Sequence, residues 1–273
     1  MSATFPITLR FHGDLSLLLR SNHRSNLEDG GDFESDPCVT RRELREKTAV
    51  KDVIEACGVP HTEVDLIMVE RANDPSPGAV DLAWLLEEAA EVDIYPAPVE
   101  DDVHAWAPRL QSRHRLRFVA DGHLGKLARN LRLLGYDTVY ERGADDRRLL
   151  EIMAEEDRTL LTRDRQLLMY SVVSHGYCPR STDPEEQTRE VLARFHLGVQ
   201  LDAPGIFSRC LECNGQLVGV PKDEVLAELA DEPLTLQHYD EFYRCTECAK
   251  IFWKGTHHEK LVNRVARISA MLV

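Results

Sequence analysis

Residues 117–168 read RFVADGHLGKLARNLRLLGYDTVYERGADDRRLLEIMAEEDRTLLTRDRQLL, and the fold turns on this stretch. Two short apolar runs, Phe118-Val119-Ala120 and Thr159-Leu160-Leu161-Thr162, suit buried strands. Each ends close to an aspartate, Asp121 and Asp164. Between them Leu124, Leu127, Ala128, Leu131 and Leu134 recur at helical spacing, and Gly135 stops the pattern. Lys126, Arg129 and Arg132 fall on the opposite, basic side of that helix. Thr138-Val139-Tyr140 reads as another strand, and Asp146–Glu156 as a helix with Leu149, Leu150 and Met153 in its apolar stripe. A third helix begins over Arg165–Met169, and Asp183-Pro184 opens a further one over 184–196. Strands alternating with helices predict an α/β domain with a parallel sheet flanked by helices.

In an open parallel sheet, ligand sites gather beyond the carboxyl ends of the strands. Asp121 directly follows the first strand, Asp164 lies just past the third, and Asp146 opens the helix leading into that third strand. Crowded carboxylates repel one another and raise each other's pKa unless a cation joins them. Hard cations such as Mg²⁺ or Mn²⁺ prefer such oxygen ligands. A metal held this way can bind a phosphodiester oxygen and activate water for attack at phosphorus. Lys126 and Arg129, one helical turn further on, are placed to hold a neighbouring phosphate. Each acid also has a structural reading. Asp121-Gly122 is a turn signal, Asp145 an N-cap, Asp146 a favourable charge at a helix N-terminus, and Asp164 a cap for the next helix.

Asp146-Arg147-Arg148-Leu149-Leu150, followed by Thr162-Arg163-Asp164, resembles the second half of PIN-domain nucleases. With FVADGHLGKLARNLRLLGYDT at its front, the whole of 117–168 resembles the Mut-seven C-terminal RNase family of PIN-like proteins. The resemblance implies a metal-dependent ribonuclease domain over 115–200, cutting RNA to 5′-phosphate and 3′-hydroxyl ends. It assigns Asp121, Asp146 and Asp164 to the Mg²⁺ or Mn²⁺ ion; Arg163, inside the Thr162-Arg163-Asp164 run, joins Lys126 and Arg129 as an expected contact to RNA phosphates. Asp145 is adjacent and an alternative acid. Full PIN sites carry a further acid between the first two; this chain has no clean equivalent, and Glu141 and Asp183 are the candidates. That departure motivates a second hypothesis, a non-catalytic RNA-binding or adapter protein.

Outward from this domain, four of the seven cysteines form two C-x-x-C pairs, Cys210/Cys213 and Cys245/Cys248. Two such turns make a closed tetrahedral site for Zn²⁺, which is structural because no coordination position stays open. A zinc ribbon with a C-terminal helix is therefore expected over 205–273. The 31 residues between the pairs make a long insertion. Trp253 is a candidate RNA-stacking residue, with filling of the small core as its plain alternative. Lys260, Arg264 and Arg267 form a basic stripe on the last helix.

Toward the N-terminus the charge changes. Residues 1–107 hold 9 Lys and Arg against 22 Asp and Glu, whereas 108–273 hold 24 against 25. The net charge of −14 thus belongs to the first part and argues little against a polyanionic partner for the second. Residues 5–11 and Val39–Glu46 read as strands, Thr48–Gly58 as a helix capped by Thr48, and Val64–Val69 as a strand. Asp74–Gly78 reads as a turn, Leu82–Leu86 as a short helical piece, and Val92–Tyr95 as a last strand. That order resembles a ubiquitin-like β-grasp domain over 1–107, with 21–37 as a mobile loop. Its last strand runs on into Pro96-Ala97-Pro98, with no free terminal Gly-Gly for carrier chemistry, so a structural or partner-docking role is expected. No apolar run approaches a membrane span and no signal peptide is visible, so the expected location is the cytoplasm.

Overall fold

The computed structural model describes residues 4–20, 37–97, 104–112, 115–198 and 205–271. The chain divides into two compact units: 1–113 with 164–178, and 114–163 with 179–273. The stretch expected to be a mobile loop, 21–37, lies outside the described residues except for Pro37. No helix among the described residues is long and apolar enough to cross a membrane.

The first unit opens with β1 (Phe5–Phe11), β2 (Cys38–Leu44), β3 (Thr48–Ala49), α1 (Val50–Ala56), β4 (Val64–Arg71), β5 (Asp74–Ala79), β6 (Leu85–Leu86) and β7 (Ala90–Pro96). Five strands form a sheet in the order β2-β1-β7-β4-β5, with β1 and β7 parallel at its centre. First and last strands side by side is the β-grasp arrangement expected from the element order. Ile7, Leu9, Phe11, Val92 and Ile94 alternate inward and fill the core together with Val53 and Ile54 of α1.

Three local expectations are corrected. Thr48 does not cap α1: its hydroxyl donates to Glu46 O (3.0 Å), and Thr48-Ala49 pairs with Leu85-Leu86 as β3 and β6. Leu82–Leu86 is accordingly a turn and a short strand, not a helix. Asp74–Gly78 is strand β5, whose two prolines are tolerated because it lies at the sheet edge.

The second unit begins with β8 (Arg117–Ala120), α2 (Gly125–Leu133), β9 (Asp137–Tyr140), α3 (Asp146–Glu156) and β10 (Thr159–Leu161). The strands are parallel, with β8 between β10 and β9. The chain therefore leaves β8 to one side for β9 and crosses to the other for β10, making a topological switch point between β8 and β10. Phe118, Val119, Leu160 and Leu161 are fully buried, as a sheet covered on both faces requires. Next come α4 (Arg165–Leu168) and β11 (Gly176–Tyr177), which belong to the first unit. The second unit is completed by α5 (Pro184–Arg194), β12 (Leu217–Val220), α6 (Pro233–His238), β13 (Phe242–Cys245), β14 (Ile251–Trp253) and α7 (Thr256–Ala270).

Helix α2 ends in a six-residue left-handed cap. Tyr136 N–H donates to Leu131 O (2.9 Å) and Gly135 N–H to Arg132 O (3.0 Å), with Gly135 at φ 91°. A Cβ on Gly135 would stand 2.1 Å from Gly205 O, a backbone atom that cannot swing away. Gly135→Ala is therefore expected to destabilise the protein by more than the roughly 1–2 kcal/mol of left-handed strain alone. Urea denaturation monitored by circular dichroism checks this as a lowered midpoint.

Candidate functional site

Asp121 sits where the switch point lies. Its backbone N–H donates to Leu161 O (2.9 Å) across the β8–β10 junction, and a 3₁₀ turn over Gly122–Leu124 follows. The carboxylate caps that turn by accepting from His123 N (3.1 Å), and its other oxygen accepts from Thr162 Oγ1 (2.7 Å). Thr162 is fully buried. From the far strand Tyr140 OH donates to Gly122 O (3.1 Å), and its ring lies so close that a Cβ on Gly125 would meet it at 2.8 Å. Each Asp121 oxygen uses one acceptor site and keeps lone-pair capacity for a cation. Thr162 and Tyr140 were not singled out as site residues, although Thr162 carried a signal as the first residue of the Thr162-Arg163-Asp164 motif.

The acids around α3 separate by duty. Asp145 is the N-cap, accepting from Arg148 N (2.8 Å), so Asp146 at the first helical position is exposed without that task. Glu141 is clasped by Arg148 at 2.8 and 3.0 Å, and this hydrogen bonding holds its carboxyl below the usual carboxylate range. Asp183 caps α5 through Glu185 N (2.9 Å) and Glu186 N (3.1 Å). In the first unit, Asp164 caps α4, its Oδ1 accepting from Gln166 N (2.8 Å) and Leu167 N (3.4 Å). Among the described residues, the one group of three or more His, Cys, Asp or Glu side chains close enough to share an ion is cysteine.

Of the cations expected near the acids, Lys126, Arg129 and Arg163 are exposed, and Arg129 stands 3.6 Å from Glu212. Arg132 departs from the expected basic face: it is 3 % exposed. It donates to Thr138 O (2.9 Å), Leu211 O (3.2 Å) and Glu212 O (2.9 Å), and burial lowers its pKa. Those carbonyls explain its burial, because the last two belong to the first cysteine turn.

Cys210, Cys213, Cys245 and Cys248 bring their sulfurs within 4.8 Å of one another. The two turns are twins. Cys210 N donates to Gly215 O (2.7 Å) and Asn214 N to Cys210 O (3.0 Å); Cys245 N donates to Lys250 O (3.0 Å) and Ala249 N to Cys245 O (3.1 Å). Asn214 (φ 74°) and Ala249 (φ 57°) take the same left-handed position. Burial pushes the Cys213 thiol up to about 12, helped by the neighbouring sulfurs. Burial also opposes ionisation of Cys245, but the N–H groups of Cys248 and Glu247 bring it down to about 7. Four sulfurs converging without a fifth ligand fit a tetrahedral, thiophilic ion.

The cysteine module is tied to the parallel sheet within the same unit. Asn214 Oδ1 accepts from Thr138 N (3.0 Å) and its Nδ2 donates to Asp137 Oδ1 (2.7 Å), extending the open edge of β9. Asp137 also meets buried Arg158 at 2.6 Å. Burial alone would raise the Asp137 pKa, but the hydrogen bonds from Arg158 and Asn214 outweigh it and hold the carboxyl below its ordinary value. The long insertion builds its own core of Val225, Leu229 and Phe242, against which half-buried Trp253 packs. On α7, Arg267 reaches Glu185 of α5 at 2.6 Å and Arg264 reaches it at 3.6 Å, so two of the three cations of that stripe are engaged inside the unit.

Two family models match the chain. The one described as Mut7-C RNAse domain matches residues 116–265, and the one described as Mut7-C ubiquitin matches residues 5–98. The chain is 35% identical over 123 residues to a human protein named Exonuclease mut-7 homolog. That match covers 43% of this chain and 14% of the relative, so the chain spans a small part of the relative's length. No solved structure matches.

Proposed function

The chain belongs to the Mut7-C RNase domain family, and from that membership we propose that it is a metal-dependent ribonuclease whose acids are Asp121, Asp146 and Asp164. The observation that carries this reading is Asp121 itself. It lies at the switch point of the parallel sheet, with its carboxylate fixed by Thr162 and His123. Open α/β sheets put their ligand sites at such a point. The D-x-x-L-L motif at Asp146 and the T-x-D motif at Asp164 supply the other two acids. Oxygen donors of this kind suit Mg²⁺ or Mn²⁺. When bound, the ion supplies Lewis-acid polarisation of a phosphodiester oxygen and an activated water.

Thr162 and the turn at Gly122 orient Asp121, while Lys126, Arg129 and Arg163 offset phosphate charge along the RNA. The nuclease domain proper is residues 115–200. In the ribbon of 205–273 the four cysteines hold Zn²⁺, and half-buried Trp253 is the residue placed to stack on an RNA base. The β-grasp domain of 1–107 takes a protein partner, supported by Trp84 (40 % exposed) and Leu85 (48 % exposed) beside acidic Glu87 and Glu88.

The reading is tested by incubating 5′-labelled single-stranded RNA, and DNA of the same sequence, with the full chain and Mg²⁺ or Mn²⁺. RNA is shortened to products with 5′-phosphate and 3′-hydroxyl ends, and DNA is cut more slowly. The second reading is a non-catalytic RNA-binding or adapter protein, and the capping duties of Asp121 and Asp164 favour it. Salt-sensitive RNA binding with no turnover in either ion would establish that reading instead.

A further inference from the structure

Residues 164–178 fall inside the stretch matched by the nuclease family, yet they pack as part of the unit built by 1–113. The segment has little structure of its own: a four-residue helix, α4, and a two-residue strand, β11. Helices and strands this short do not hold themselves in water. The segment makes polar ties to the β-grasp domain at its start, middle and end.

At the start, Arg165 Nη1 donates to Leu18 O, 147 residues earlier in the chain. In the middle, Val173 O meets His61 Nε2 at 2.8 Å, 112 residues away. At the end, Cys178 N–H donates to Glu63 Oε1 at 2.6 Å, 115 residues away. His61 and Glu63 flank one 3₁₀ turn that leads into β4, and they are 6 % and 1 % exposed. His61 is itself oriented by Glu55 of α1, whose Oε1 lies 2.7 Å from Nδ1. Glu63 is further set by its backbone carbonyl, which accepts from Ala97 N at 2.9 Å. Between the ties, Leu167, Leu168, Val173 and Tyr177 are buried.

A carboxylate buried to this degree is costly unless its oxygens are hydrogen-bonded. A surface module that only docks partners has no need of one aimed at a loop more than a hundred residues away. We propose that the ubiquitin-like domain positions the Asp164-bearing segment for the nuclease reaction, with Glu63 as the principal positioning residue and His61 and Arg165 as supports. The inference rests on the nuclease reading for the role of Asp164, but the clasp itself does not. It makes the N-terminal domain a working part of the enzyme, so that a partner bound there would act on cleavage through 164–178.

The test uses the full chain carrying Glu63→Ala or Glu63→Gln, with three readouts: hydrogen exchange across 165–178, steady-state RNA cleavage, and Mn²⁺ affinity. Alanine removes the acceptor for Cys178 N–H, whereas glutamine keeps a carbonyl oxygen there. Glu63→Ala is expected to speed exchange across 165–178 and to lower kcat by about tenfold to a hundredfold, as displacement of a reacting group does. KM stays within about threefold, because RNA binding is not what was removed. Glu63→Gln recovers most of the protection and most of kcat, a rescue that general destabilisation would not give.

If Glu63→Ala does not fold, Arg165→Met opens the first tie and leaves the buried Glu63–Cys178 bond in place, and the same exchange and kcat changes are expected. Unchanged exchange in the folded variant, or faster exchange with unchanged kcat, would overturn the proposal. If the wild-type chain cleaves no RNA, the nuclease reading fails by itself. Mn²⁺ titration then decides: weaker binding in Glu63→Ala sustains the positioning role, and equal binding refutes it.

Discussion

Withholding Zn²⁺ from Cys210, Cys213, Cys245 and Cys248 is expected to leave the C-terminal ribbon unfolded and to loosen β9 with it. The ribbon cannot stand on burial alone. Its sheet has strands of three and four residues, and its insertion core is built on three buried side chains. Zinc in sites of this kind contributes about 10–16 kcal/mol of apparent folding free energy, as much as the whole of a typical domain's stability of about 5–15 kcal/mol. The damage spreads because the first cysteine turn supplies Leu211 O and Glu212 O to buried Arg132, and Asn214 to the β9 edge. Without that turn, Arg132 keeps a buried charge with one carbonyl partner of three. A chelator of high zinc affinity, or Cys210→Ser, should give fast hydrogen exchange across 205–255 and at Thr138, restored for the chelated protein by added Zn²⁺. Lowering the pH should act in the same direction, since the ion must displace protons from thiols, one of them held up to about 12. Equal melting with and without metal would mean that the cluster is not a folding site.

Asp121→Asn and Asp146→Asn are expected to lower the metal-dependent cleavage rate by at least about a hundredfold while leaving the fold intact, since charge stabilisation at the reacting phosphate is the principal catalytic term. Asparagine at 121 keeps an oxygen for His123 N–H, and the Thr162 hydroxyl can rotate to accept from the new amide. Folding is thus spared, and the loss isolates the negative charge. The contrasting variant is Asp145→Asn. Asparagine caps a helix as well as aspartate does, so if Asp145 only accepts from Arg148 N, cleavage is unchanged. Single-turnover rates at saturating Mn²⁺, with circular dichroism of each variant, make the comparison. A fall for Asp145→Asn matching that for Asp146→Asn would move the metal-binding role to the neighbouring acid.

The helices that proved most readable carried their boundary chemistry in adjacent residues. Asp145 before Asp146 and Asp183 before Pro184 announced α3 and α5, because a cap bonds to the backbone two or three positions on. The parallel strands β8, β9 and β10 were equally plain, being short apolar runs between helical stripes. What failed depended on partners distant in sequence. Thr48 looked like a cap until its strand found Leu85-Leu86, and local propensity yields to such pairing. Arg132 shared helical spacing with Lys126 and Arg129, but the ribbon's carbonyls lie 79 and 80 residues later. Asp121 was legible as an acid at a strand end; that Thr162 would fix it was not, since the bond joins residues 41 apart. The same limit hid the ties that bind 164–178 to His61 and Glu63.

The proposed role of Asp121, holding a divalent cation for RNA cleavage, is open to a direct measurement. Single-turnover cleavage of a 5′-labelled RNA is followed in Mn²⁺ with wild-type chain, wild type plus EDTA, and Asp121→Asn purified in parallel. The first reaction is expected to give 5′-phosphate-ended products, and the other two a rate lower by about a hundredfold or more. Equal cleavage by wild type and Asp121→Asn, or no cleavage by wild type on any RNA offered, would contradict it.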